Sequence, residues 1–218
     1  MRRIALSLSY LFLSLGINLI AQGAEDNALL HEAARFHSFG KNILTQQPAP
    51  AHNDAFQMIA LRYFYAAENM ISTWQNAHPE MELPLRMKFV AIENLEQMGS
   101  IFDTRGRWAH MATSYESALL LLKEAKIELH ENRRYLRKVQ QKIHQIHRKL
   151  IPPYINLQEF ETALMHIDAQ LEMEDNTDLR QYRNHIEQRL QQQAMELAFS
   201  EEIQAIGVAR YADAAANL

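Results

Sequence analysis

The amino-acid sequence predicts an all-α protein, and three observations carry that reading. Gly and Pro number only six each in 218 residues, while Ala, Leu, Gln, Glu, Met, Lys and Arg dominate, a composition that suits helices better than strands. No alternating β-branched run bounded by turn residues occurs in the chain. The stretch 107–150 holds neither Gly nor Pro, and Ala118, Leu122, Ala125, Leu129, Leu136, Val139, Ile143, Ile146 and Leu150 recur at helical spacing, with one polar gap at Asn132.

The first element is a predicted export signal at 1–23. Arg2 and Arg3 form a positive start, residues 4–20 are largely apolar, and Ala21-Gln22-Gly23 supplies small residues at a cleavage-site spacing. The expected mature start is Ala24 or Glu25, and removal of two arginines and no acid takes the net charge from −4 to −6. The second reading keeps 1–23 as an uncleaved anchor, because the apolar run approaches the length of a spanning helix. Both readings export the body, as a single helical domain over 24–210 in the periplasm or anchored to the inner membrane and facing it.

Helices then follow in order. One is predicted over about 26–44, with Leu29, Ala33, Phe36 and Ile43 as apolar positions, and 46–52 with two prolines is a loop. Asn53 or Asp54 caps a second helix to about 76, and the prolines at 79 and 84 bound the break before a third at 85–102. The run 107–150 is predicted as one long helix, the other reading being two helices that meet near 130–132. Ile151-Pro152-Pro153 is expected to stop it. Helices over 157–173 and 178–206 complete the body, with Asp175-Asn176-Thr177 as turn and cap, and 211–218 as a frayed tail.

Composition excludes several chemistries. There is no cysteine, so the chain forms no disulfide, no thiolate zinc site and no acylated cysteine anchor. A body of this length is held by its own apolar core. The negative net charge gives no reason to expect nucleic acid as a partner.

One segment carries a repeat pattern. Leu95, Met98-Gly99 and Phe102 lie on the third predicted helix, Gly106 and Trp108 mark a turn and a helix start, and Tyr115 and Ala118 follow at packing positions. At about 92–125 this resembles a tetratricopeptide (TPR) repeat, in which small residues let two antiparallel helices approach while aromatic residues fill the space around them. Met111 stands where the family has a small residue, and Lys123 where it usually has proline. Ala60, Phe64 and Ala67 repeat the second-helix spacing 51 residues before Met111, and Ala163 and Ile167 its first half 52 residues after. The resemblance implies antiparallel helical hairpins whose first helices line a partner groove. The residues carried over are Glu93, Glu96, Ser100 and Asp103, an acidic wall suited to a basic segment.

No motif for catalysis is present. His144 and His147 share a helix face, yet no carboxylate lies between Glu131 and Glu159 to complete a metal site. His31-Glu32 starts like a zinc-protease motif, but Arg35 takes the place of its second ligand. With no phosphate-binding Gly-rich loop and no nucleophile elbow, neither an enzyme nor a cofactor is expected. The strongest charge feature is a basic patch of Arg133, Arg134, Arg137, Lys138, Lys142, Arg148 and Lys149, with no acid among them. It suits an anionic lipid surface, nucleic acid or an acidic partner. The plainer reading sets it against Glu159, Glu161, Asp168, Glu172, Glu174, Asp175 and Asp178 in a folded-back hairpin.

The sequence thus points to an exported, non-enzymatic helical adaptor that holds a protein partner in the cell envelope, in a style that suits a Gram-negative periplasm. The alternative is a coiled-coil-like structural component that self-associates or lies on a membrane, through 4–20 or the basic helix. An enzyme acting on envelope polymers is supported by location alone.

Overall fold

The computed structural model describes residues 28–46 and 53–216, with side chains described for 28–46 and 54–206. The expected signal or anchor at 1–23 and most of the 46–52 loop lie outside them. Among the described residues there are seven helices and no strand. They are α1 Ala28–Thr45, α2 Asn53–Ala77, α3 Leu85–Thr104, α4 Trp108–Glu128, α5 Arg133–Asn156, α6 Phe160–Leu171 and α7 Thr177–Ala216. None is long and apolar enough to cross a membrane. The helices gather into two compact units, with the boundary inside α5 between Ile146 and His147.

In the first unit α1 packs along α2 and α3 along α4, and both α1 and α2 touch α3. Leu30, Ala33, Ala67, Ile71, Trp74, Leu83, Met87 and Ala91 form one buried cluster across α1, α2 and α3. Apolar positions three or four apart on each helix place these residues on inward faces. In the second unit Ile151, Phe160, Ile167 and Ile186 form the buried cluster, with Leu164, Leu171, Leu179 and Leu190 packed against it.

Two hairpin turns share one geometry. After α3, Gly106 has φ 62°, its N–H bonds to Asp103 O at 3.0 Å, and the Arg107 N–H reaches back to Phe102 O at 3.0 Å. After α5, Gln158 has φ 62°, its N–H bonds to Ile155 O at 3.1 Å, and the Glu159 N–H reaches Tyr154 O at 2.9 Å. Both are Schellman ends, in which a left-handed residue lets the last carbonyls find donors. Arg107 and Glu159 then enter the next helix with φ −89° in each case and ψ of 70° and 66°.

Helix packing repeats as well. A Cβ on Gly99 would lie 2.7 Å from the ring of Tyr115, and one on Gly40 2.5 Å from the ring of Phe64. Each glycine therefore seats an aromatic ring of the following helix, and both rings are buried. Tyr115 follows Gly99 by 16 residues, while Phe64 follows Gly40 by 24, the extra eight split between a connection four residues longer and an α2 that begins about one turn earlier. At the corresponding places of the α5–α6 hairpin stand Ile151 and Ile167, also 16 apart and in one apolar cluster. Small plus large has been exchanged there for medium plus medium.

Three expectations are corrected. The run 107–150 is not one helix: α4 ends at Glu128 and α5 begins at Arg133. Asn132, the polar gap, caps α5, its Oδ1 facing the Tyr135 N–H at 3.4 Å, and the His130 ring binds Ile127 O at 2.8 Å at the preceding helix end. Pro152 and Pro153 do not stop α5. Proline lacks a donor but keeps its carbonyl, and Pro153 O accepts from the Leu157 N–H at 2.9 Å while Pro152 O accepts from Asn156 Nδ2 at 2.8 Å. Burial of Ile151 and Leu150 holds the turn in place. The last helix runs on through Ala216 rather than ending at about 206.

Candidate functional site

The four groove residues carried over from the repeat resemblance share a face of α3, and their surroundings differ. Glu93 is taken by α1: the His37 Nε2 lies 3.2 Å from Oε2 and Lys41 bonds to Oε1. Burial pushes the Glu93 carboxyl up, but the hydrogen bonds and charges of His37 and Lys41 outweigh it and hold the group down at about 2. Glu96 accepts from Lys142 of α5 at 2.5 Å. Ser100 and Asp103 remain exposed. The open acidic wall of four is therefore half filled by the chain's own cations.

Behind Glu93 lies a polar network that sequence reasoning missed. Asn94 is fully buried, and its Nδ2 donates to Phe64 O at 2.9 Å and to Glu68 at 2.7 Å. Those acceptors fix the amide orientation, so Asn94 Oδ1 faces His37 Nδ1 at 3.3 Å as an acceptor. Both ring nitrogens of His37 thus face acceptors. Burial pushes the Glu68 carboxyl up, against the lowering effects of Asn94 and the His37 charge. Lys88, also buried, gathers Glu82, Glu124 and Glu128. Burial lowers its tendency to hold a proton, and the pull of Glu128 and Glu124 more than reverses this. Such networks fix how α1, α2, α3 and α4 register on one another.

The basic patch is mostly surface. Arg133, Arg134, Arg137, Arg148 and Lys149 are exposed, Lys138 sits 5.9 Å from the centre of the Tyr135 ring, and Lys142 is engaged by Glu96. Of the acids that the plainer reading set against this helix, Asp168 instead binds Arg183 at 2.6 Å and Asp175 binds Arg180 at 2.8 Å, both from α7. The candidate ligand pair His144 and His147 is not the pairing seen in the second unit: His147 Nδ1 meets the buried His166 Nδ1 at 2.9 Å, and Tyr154 stacks on His166. Arg35, which displaced the second ligand of the zinc-like pattern, bonds to Glu32 at 2.9 Å. Among the described residues no three His, Asp or Glu side chains converge as metal ligands.

Two concavities stand out among the described residues. An open groove of about 560 Å³ in the second unit is bordered by Glu161, Met165 and Asp168 of α6, by Glu172 just past its end and by Arg183. A recess of about 250 Å³ in the first unit has Leu95, Met98 and Phe102 as its floor and His110 and Ser114 on its rim. Neither brings together groups with a recognisable reaction geometry.

Among the described residues, the longest unbroken run of exposed positions lies on α7. Leu179, Ile186 and Leu190 pack on the second unit's core, and every residue from 191 to 206 is exposed. Met195, Phe199, Ile203 and Ile206 follow at spacings of four, four and three, so they form one helical stripe, with Met195 and Phe199 66% and 65% exposed. Helical projection sets Glu196 along one side of it and Glu202 along the other. The spacing was legible in the sequence; that the stripe stays exposed was not. Comparison with protein families, with curated proteins and with solved structures finds no match to the chain.

Proposed function

We propose that this protein is a non-enzymatic helical scaffold of the cell envelope that grips a protein partner with the free half of α7. The single observation behind this reading is the stripe of Met195, Phe199, Ile203 and Ile206, four large apolar side chains on a helix segment exposed from 191 to 206. Isolated helices of this length are marginal in water, and an apolar stripe on one is the usual form of a helix that docks. The export pattern at 1–23 supports the compartment, and the paired histidines, ion pairs and shallow concavities are consistent with structural roles.

A tetratricopeptide-like architecture fits the same reading. Phe36, Phe39-Gly40 and Ile43 of α1 repeat the spacing of Leu95, Met98-Gly99 and Phe102 of α3, and each glycine receives the aromatic ring of the next helix. With Glu93 and Glu96 occupied internally, partner contact on α3 is confined to Ser100 and Asp103, which makes α7 the better docking element.

The test is site-specific photocrosslinking in the native host, with the reactive residue placed at Phe199 or, as a control, at the equally exposed Leu120. A discrete adduct at Phe199 that is missing at Leu120 supports the scaffold. The same pattern at both sites, or none, removes it. A second reading is favoured by the exposed Arg133, Arg134, Arg137 and Arg148: a structural component lying on anionic lipid. Liposome sedimentation decides it, since a protein indifferent to anionic vesicles is not that component.

A further inference from the structure

We propose that the free half of α7 receives a cationic amphipathic helix of another protein. This rests on the docking role of α7 just argued and adds the chemistry of the partner. Between Arg189 and Arg210 the helix carries Glu196, Glu201 and Glu202 and no Lys, Arg or His. Two of these acids border the apolar stripe, Glu196 on one side and Glu202 on the other, and no ion pair engages either among the described residues. Glu196 accepts only from the amide of Gln192, at 2.9 Å. A helix that buries Met195, Phe199, Ile203 and Ile206 brings its own flanking positions to within reach of both carboxylates.

The charge selects among the possible occupants. A second copy of α7 brings glutamates against glutamates, and like charges brought together across an interface count against pairing. An anionic membrane meets the same objection on its own side, because interfacial helices carry Lys and Arg beside the apolar face rather than Glu. A helix with an apolar stripe flanked by Lys or Arg buries the stripe and pairs both carboxylates. The cationic α5 of another copy does not qualify, because its apolar residues Val139, Ile143 and Ile146 are already buried.

Two synthetic peptides of about 18 residues test the inference against the full chain, each with the same leucine stripe at spacings of three and four, one flanked by lysines and the other by glutamates. Binding is read by fluorescence anisotropy at low salt. The lysine peptide is expected to bind about tenfold more tightly than the glutamate peptide, the sum of several weak exposed pairs turned from repulsive to attractive. Glu196→Lys with Glu202→Lys reverses the preference, and the gap narrows as salt shortens the screening length. Phe199→Ser with Ile203→Ser weakens both peptides by about tenfold or more. All four substitutions fall on exposed positions, and helix content by circular dichroism checks that the fold is kept.

Equal binding of the two peptides, or a preference that the charge reversal leaves unchanged, overturns the inference while a Phe199 crosslink would still uphold the docking role. Binding of neither peptide, with no crosslink at Phe199, removes both. Dimerisation or binding to anionic vesicles that is abolished by Phe199→Ser with Ile203→Ser assigns the stripe to a second copy or to lipid, and overturns the cationic-helix assignment.

Discussion

The pair Gly99 and Tyr115 gives the sharpest quantitative prediction. A side chain at 99 would put its Cβ 2.7 Å from Tyr115 Cζ and 2.8 Å from Cε1, where carbon atoms rest at about 3.5–4.0 Å. The ring must retreat by about 1 Å, yet it is only 2% exposed and has no room to do so. Overpacking of this kind costs about 1–3 kcal/mol, and Gly99→Ile, with three further carbons, is expected at about 3 kcal/mol after the gain of about 0.5 kcal/mol in helix propensity. Tyr115→Ile alone leaves a void and costs about 2–4 kcal/mol. The double variant places isoleucine at both positions, as Ile151 and Ile167 stand at the corresponding places of one apolar cluster, so it is expected to lose about 2 kcal/mol or less, a coupling of about 3–5 kcal/mol. Urea unfolding followed by tryptophan fluorescence is the assay, because both tryptophans, Trp74 and Trp108, report on the first unit. Additivity of the two single effects to within about 0.5 kcal/mol would refute the volume-exchange argument.

Four further outcomes are expected. Gly40→Ala drives a methyl into the Phe64 ring and lowers the melting temperature of the first unit, by about 1–2 kcal/mol in stability despite the better helix propensity. Gln158→Gly relieves a left-handed residue and raises the stability of the second unit by about 1 kcal/mol, whereas Gly106→Ala, where a Cβ only touches the Trp108 ring at 4.0 Å but φ stays positive, lowers that of the first by a similar amount; thermal melts of the two variants must therefore move in opposite directions. Glu93 sits at about 2 in the folded chain against 4.5 as its ordinary value, so the folded state binds fewer protons there between these limits. Its contribution is present above about pH 4.5 and is lost as pH falls towards 2, and acid titration of Glu93→Gln should show a shallower loss of stability across that window. Lys88→Met strands Glu124 and Glu128 side by side and should lower stability at pH 7 by about 1–3 kcal/mol, read by urea unfolding.

Most helix boundaries were legible because they are local. Pro84 before α3, Asn53 at the start of α2 and Asp175-Asn176-Thr177 before α7 act within a few residues, and Asn176 Oδ1 indeed holds the Leu179 N–H at 3.1 Å. The two boundaries that failed were decided by competition between local and tertiary terms. Asn132 is a weak breaker but a strong cap, and the chain used it to turn where composition alone suggested continuity. Pro153 is a strong breaker in a helix interior, yet one turn from the end its carbonyl still serves, and its burial favours keeping the turn.

Long-range partners were the least legible. Gly99 was identified because its aromatic partner follows at the repeat spacing, whereas Gly40 escaped because eight more residues separate it from Phe64. The bond of Lys142 to Glu96 joins residues 46 apart, and the bond of His37 to Glu93 joins residues 56 apart. Charge patterning along the chain could not tell that these acids, chosen as a groove, would be met by cations from α1 and α5 rather than by a partner. The exposed stripe of α7 is the reverse case: its period is plain in the sequence, and only the fold reveals that the second unit's core stops at Leu190.

The account stands most directly on what happens to α7 when a partner helix is bound. Hydrogen exchange of the full chain, with and without saturating lysine-flanked peptide, reads every helix in one experiment. In the free chain the amides of 191–206 should exchange fast, since the segment is exposed along its length, and the peptide should slow these amides more than any others. Protection that appears instead around Ser100 and Asp103 of α3, with 191–206 unchanged, would contradict the assignment of α7 as the docking element.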